Sequence, residues 1–147
     1  MLIAGEWQVG DDGVTRPIVR AHVFGTDGRS VTDDFLVDSG ADRTVFSATL
    51  MTRLQLPARS AQPGLALSGI GGERAFVVVV TTVMEFPRDD GGPVRVRGEF
   101  AGFTDPIATD LSILGRDVLD HFDLLISRRH NEILLLAPRQ RYRIESS

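Results

Sequence analysis

Short runs of alternating apolar and polar residues, broken by clusters of turn formers, dominate the chain. Val19, Ala21 and Val23 share one parity and Arg20 and His22 the other, the period-two pattern of a half-buried strand. Thr26, Asp27 and Gly28 supply a tight turn and residues 31–37 return, so residues 17–37 predict a hairpin. Ser47 is placed to cap a short helix through about Leu54, with Leu50, Met51 and Leu54 on one face and Pro57 beyond its end. Residues 65–86 are the most strand-like stretch: Leu65 and Leu67 lead to a glycine-rich tip, and a β-branched run begins near Phe76. Asp89 to Gly92 form a turn, and Val94 and Val96 alternate with Arg95 and Arg97 in a returning strand. Ile113 and Leu114 precede a short helix through about Phe122, and residues 124–127 and 132–136 predict a closing hairpin.

With almost everything strand and turn, and with no internal repeat or evident linker, the pattern predicts one all-β domain, closed or sandwich-like. It spans residues 1–147 with its core at about 17–137 and flexible ends. A length of 147 residues suits one domain with a substantial core.

Composition narrows the chemistry. The net charge of −4 opposes a general nucleic-acid or anionic-membrane binder, since phosphate surfaces select excess positive charge. Arg139, Arg141 and Arg143 near the C-terminal end read as a solvated tail. There is no cysteine, which excludes disulfides, thiolate metal sites and cysteine nucleophiles. All 16 basic residues are arginine, so Schiff-base chemistry and the P-loop lysine are excluded as well. His22, His121 and His130 lack metal-ligand spacing, and no metal or other cofactor is expected. The N-terminal residues lack the basic flank and apolar core of a secretory signal, and no apolar run approaches the ~20 residues of a membrane span; the expectation is a cytoplasmic protein.

What remains is carboxylate chemistry, and Asp38 is its best candidate. It follows Phe35, Leu36 and Val37 directly, at the end of a predicted buried strand, and is turned by Ser39 and Gly40. A carboxylate there is costly to bury unless it is hydrogen-bonded or shares a proton. An isolated Asp-Ser-Gly would read as a capped turn. Here Ala41 and Asp42 follow, a Gly69-Ile70-Gly71-Gly72 tip lies about thirty residues on, and Ile113-Leu114-Gly115-Arg116-Asp117 closes the series. A phosphate-loop reading of the glycine tip fails because Arg74 stands where the last glycine belongs. Ser39 as a nucleophile lacks a partner histidine and an oxyanion hole. Asp33, Asp34, Asp89, Asp90, Asp105 and Asp110 read as turn and loop acids.

Over residues 17–127 these motifs, in this order, resemble the retropepsin family, the aspartic peptidases of retroviruses and their cellular and bacterial relatives. The resemblance implies a closed, half-pepsin β-barrel with a flap hairpin and one or two short helices. It implies that Asp38 is the catalytic aspartate, paired with Asp38 of a second copy. It implies that Ser39 hydrogen-bonds across the dimer and that the Gly40 carbonyl receives substrate backbone. Ala41 and Asp42 would line the cleft, and Gly69, Ile70, Gly71 and Gly72 would form the flap over an extended peptide. Arg116 would lie beneath the active loop and pair with Asp42, so that its loss costs stability first. Phe103 to Pro106 match a loop bordering the cleft. Viral members interleave their termini in a dimer sheet, whereas here some twenty-five residues follow Phe122, including Ile133 to Leu136, so the extra hairpin either replaces that contact or covers it.

The implied function is a homodimeric endopeptidase acting on an unfolded peptide segment. The alternative is a catalytically weak or inactive module of the same fold that binds peptide by strand addition. A buried carboxylate favours the enzyme, because a pure binder has no need of it.

Overall fold

The computed structural model describes residues 1–60, 67–68, 74–75, 77–105 and 110–137, the two shortest segments by backbone alone. In chain order the elements are β1 (Leu2–Val9), β2 (Thr15–Phe24), β3 (Ser30–Val37), β4 (Val45–Phe46), α1 (Ala48–Leu54), β5 (Arg59–Ser60), β6 (Leu67–Ser68), β7 (Arg74–Ala75), β8 (Val77–Phe86), β9 (Val94–Phe103), β10 (Ser112–Leu114), α2 (Arg116–Leu119), β11 (Asp123–Ser127) and β12 (Glu132–Leu136). None of the described helices is long and apolar enough to cross a membrane.

The alternating segments form the expected hairpins. β2 and β3 pair antiparallel from Ile18↔Leu36 to Phe24↔Ser30, across a turn in which Gly28 takes a φ of 77°. β8 and β9 pair over their whole length, Val77↔Phe103 to Phe86↔Val94. A further β2–β8 pairing, His22↔Glu85 and Val23↔Met84, closes the ring β2-β3-β10-β4-β9-β8 into a six-stranded barrel. Its interior holds Phe35, Phe46, Phe86, Met84 and Leu114, each fully buried. Phe46 stands edge-on to Phe35 at 5.9 Å and tilts against Phe100 at 5.3 Å, so the two-residue strand β4 is anchored by one aromatic side chain.

β10 makes the barrel unusual. It pairs parallel with β3 on one side and antiparallel with β4 on the other, so a strand from late in the chain is threaded between two that are close in sequence. The segment from Val37 to Val45 must therefore cross the end of β10. That crossing leaves no spare room at Gly115: a Cβ there would lie 2.3 Å from the Arg43 carbonyl carbon and 2.8 Å from the Thr44 nitrogen.

Helix α1 begins as expected at Ser47, whose hydroxyl accepts from Leu50 N at 3.1 Å, and it ends at Gln55 in a left-handed conformation, two residues before Pro57. Its start is held from outside as well. Asp110 accepts from Ala48 N (3.0 Å) and Thr49 N (3.2 Å), and the buried Ser112 hydroxyl accepts from Ser47 N and donates to Asp33 at 2.6 Å. Asp33 and Asp34 are thus strand residues of β3 rather than the turn acids the pattern suggests, with Asp34 ion-paired to Arg20 across the hairpin. Burial pushes the Asp33 carboxyl above its usual range, against the opposing hydrogen bond from Ser112.

Outside the barrel, β1 is a strand that the hydrophobic pattern did not single out. Its first half pairs with β12 (Leu2↔Leu136 to Gly5↔Ile133) and its second with β2 (Glu6↔Ile18 to Val9↔Thr15). Ile3 is fully buried, so the packed core extends to the start of the chain. α2 is shorter than expected, ending at Leu119 before a turn leads into β11. Arg139, Arg141 and Arg143 lie outside the described residues.

Two outcomes follow. Gly115→Ala is expected to cost about 1–3 kcal/mol through overpacking against backbone that cannot yield, read as a lowered midpoint in thermal or urea unfolding. For Asp33 the raised native pKa means that its contribution to stability is full below the ordinary carboxylate range and is lost as pH rises through the raised value. Asp33→Asn is therefore expected to melt above wild type at pH 7, with the gap closing as pH falls toward about 4.

Candidate active site

Val37 ends β3 in the core, and Asp38 continues its line by one residue: its N–H donates to the Leu114 carbonyl of β10 at 3.1 Å. The chain then turns back, with Ala41 N donating to the Asp38 carbonyl at 3.1 Å and Gly40 N to Asp38 Oδ1 at 3.0 Å. Asp38 is half-buried, while Ser39 and Gly40 are exposed beside it. A Cβ at Gly40 would come within 3.2 Å of Asp38 Oδ1, so glycine keeps that carboxylate uncrowded. The result is a carboxylate with one oxygen fixed by a backbone amide, at the mouth of the barrel.

Beneath this loop lies the segment after β10. Arg116 N donates to the Ala41 carbonyl (2.9 Å) and Asp117 N to the Asp42 carbonyl (3.3 Å), so two backbone bonds hold the loop from below. The Arg116 guanidinium also pairs with Asp42 Oδ1, the partnership that the resemblance implies. The pair is exposed, however, with the Asp42 side chain 79% accessible. In water such a pair adds little to stability. The anchoring at this level is done by the backbone.

A second network, which sequence reasoning missed, lies deeper. Thr44 is fully buried, and its hydroxyl accepts from Gly115 N (3.0 Å) and donates to Asp117 Oδ1 (2.7 Å). The same oxygen of Asp117 accepts from Thr44 N and Val118 N, each at 2.9 Å. Asp117, in the first turn of α2, thereby ties that helix to the far end of the Asp38 loop. The only local signal was a threonine between exposed Arg43 and apolar Val45; its partner lies 73 residues away.

Ala41 is half-buried and Asp42 exposed, both on this loop. Gly69, Ile70, Gly71 and Gly72 fall outside the described residues, but the strands on either side of them pair antiparallel, Leu67↔Ala75 and Ser68↔Arg74. Phe103 is buried at the end of β9, and Pro106 lies outside the described residues. Among the described residues no group of three or more His, Cys, Asp or Glu is placed to hold a metal ion. His22 Nδ1 lies 2.9 Å from the Thr32 hydroxyl across the β2–β3 pair, away from Asp38 in the register.

Solved structures share this architecture. A retropepsin-like aspartic protease from Rickettsia conorii superposes with a TM-score of 0.53 at 16% identity, covering 92% of this chain and 86% of that one. The EIAV protease, complexed with the inhibitor HBY-793, gives 0.50 at 20% identity, covering 71% of this chain and 86% of its own. A sequence comparison with curated proteins finds no match. A family model described as aspartyl protease matches residues 19–118, which span the barrel, the Asp38 loop and the Gly115–Asp117 segment beneath it. With that match over most of its length, and with the six-stranded barrel it shares with these proteins, the chain belongs to the retropepsin-like aspartyl protease family.

Proposed function

We propose that this chain is an aspartic endopeptidase that works as a homodimer, one retropepsin-like domain per copy, with Asp38 of each copy supplying half of a two-carboxylate site. The observation that carries the reading is the setting of Asp38: a half-buried carboxylate one residue past a core strand, held by the Gly40 amide, with exposed Ser39 and Gly40 alongside.

Amide hydrolysis needs a base to take a proton from water and an acid to give one to the leaving nitrogen. Two carboxylates sharing one proton do both, because like charges a few ångströms apart do not both ionise cheaply. The ionised member takes the proton of the attacking water as its oxygen bonds to the carbonyl carbon. The protonated member hydrogen-bonds the carbonyl oxygen. As the tetrahedral intermediate collapses, the C–N bond breaks and the nitrogen leaves with a proton from the pair.

The neighbouring carboxylates of the same copy are engaged elsewhere. Asp42 is paired with Arg116, Asp117 Oδ1 accepts from Thr44 and Val118, and Asp33 is bonded by Ser112 under α1. The second carboxylate is therefore assigned to a second copy, which closed two-fold symmetry supplies as an identical loop. In this reading Ser39 hydrogen-bonds between the copies. The substrate is an extended, unfolded segment with bulky apolar side chains about the cut. Its backbone meets the Gly40 carbonyl, Ala41 and Asp42 line the cleft, and Gly69, Ile70, Gly71 and Gly72 close over it.

Cleavage of an unfolded-protein peptide mixture across pH 3 to 8 tests this. Wild type is expected to cut with a bell-shaped pH dependence, because only the singly protonated pair is active. Asp38→Asn should stay folded and lose roughly 10²–10⁴-fold in rate. If neither cuts where sedimentation shows a dimer, the peptide-binding module becomes the better reading. Arg116→Ala tests the loop floor: its exposed pair predicts a stability loss below about 1 kcal/mol, with kcat falling more than KM changes. A large drop in melting temperature would instead make Arg116 an element of the fold.

A further inference from the structure

Arg43 stands on the Asp38 loop, five residues past the carboxylate, and is exposed. Its backbone is held from both sides. The Ala41 and Asp42 carbonyls before it accept from Arg116 N and Asp117 N, and Thr44 N after it donates to Asp117 Oδ1 at 2.9 Å. Gly115 packs so closely below that a Cβ there would meet the backbone of Arg43 itself. The underside of the loop is thus occupied, which leaves the exposed Arg43 side chain to its outer rim.

Charge is unevenly matched around this rim. Asp42 is paired with Arg116, and Asp117 Oδ1 is taken by two amides and the Thr44 hydroxyl. Among the described residues no ion pair engages Arg43, whereas Arg16, Arg20, Arg59 and Arg95 each hold a carboxylate. Arg43 is therefore an unmatched cation close to Asp38, in a chain whose net charge is −4. Neither buried nor paired, it contributes little to folding. Its planar guanidinium is suited to a carboxylate from outside the chain, which it can hold through two parallel hydrogen bonds.

Two copies related by a two-fold axis would set one such cation on each side of the paired Asp38. An extended peptide advances ~3.3 Å per residue, so an acid meeting Arg43 would lie about two or three residues from the cut. We propose that Arg43 is a specificity-determining residue, selecting peptides that carry glutamate or aspartate near either side of an apolar cut. The proposal rests on the peptidase reading of Asp38, and it narrows the substrate from unfolded segments in general to acidic ones.

A matched pair of peptides tests it. Each has two bulky apolar residues at its centre; the second and third positions on both sides are glutamate in one and glutamine in the other. At pH 6, where glutamate is ionised, wild type is expected to cut the glutamate peptide about tenfold better in kcat/KM. The gap should shrink in about 0.5 M salt, which screens an exposed pair. Binding of the same peptides to Asp38→Asn at pH 7 gives a second readout that needs no cleavage, with the same preference expected. Arg43→Lys should keep most of the preference, Arg43→Gln should bring the ratio near one, and Arg43→Glu should reverse it. Arg29→Gln removes the same charge beside the far end of β3 and should leave the ratio as in wild type. If wild type cuts both peptides alike and Asp38→Asn binds both alike, the assignment of Arg43 falls while the peptidase reading stands. A preference that survives unchanged in Arg43→Gln overturns the assignment as well. If wild type cuts neither peptide, the peptidase reading falls. The role of Arg43 then stands only if Asp38→Asn binds the glutamate peptide more tightly and loses that preference when Arg43→Gln is added.

Discussion

The absence of a side chain at Gly115 is the constraint on which the rest of this structure depends. β10 sits between β3 and β4, and the chain joining those two strands must cross over its end. That crossing brings the backbone of Arg43 and Thr44 to where a Cβ of residue 115 would be. Close approach then lets the Gly115 N–H reach the Thr44 hydroxyl, and lets Arg116 and Asp117 reach the carbonyls of Ala41 and Asp42. The loop bearing Asp38 is short, tethered at its start by Leu114, along its underside by Arg116 and Asp117, and at its end by Thr44. The proposed catalytic role needs a carboxylate held by elements that do not themselves move, and Asp38 is held mainly by backbone bonds to the barrel.

The same crossing divides the nearby carboxylates by role. Asp117 and Asp42 lie within a few residues of the loop but are already committed, one to amides and a hydroxyl, the other to a guanidinium. Asp33 sits further down β3, bonded to Ser112, and helps fix α1 rather than face a cleft. Asp38 differs in having an amide on one oxygen and exposed neighbours, Ser39 and Gly40, beside it. Position in the fold separates these four aspartates, and residue type does not.

How much of this was legible in the sequence depended on how local its causes were. The β2–β3 and β8–β9 hairpins, the Ser47 cap and the closing β11–β12 hairpin follow from alternation and turn chemistry within a few residues, and each formed where expected. β1 was missed because its burial alternates between two different partners along its length and Gly5 interrupts its pattern. Asp33 and Asp34 were misread because two adjacent acids suggest a turn, while one is in fact bonded to Ser112 and the other to Arg20 across the sheet. Asp38 and the Gly115–Asp117 motif stood out through their order along the chain, and the Arg116–Asp42 pair was what the family resemblance implied. That the pair is exposed could not be read from the motifs alone. The Thr44–Asp117 bond has no sequence signature, since it exists only because a parallel strand is inserted from 73 residues away.

The central claim is that one Asp38 is not enough, and mixing copies tests it most directly. Wild type and Asp38→Asn would be combined in varying ratio at constant total concentration, allowed to exchange subunits, and assayed for cleavage. If each active unit needs two aspartates, activity falls as the square of the wild-type fraction, to about one quarter in an equal mixture, because mixed dimers are inactive. A linear fall, to about one half, would mean that a copy works with its own Asp38 alone and would contradict the account.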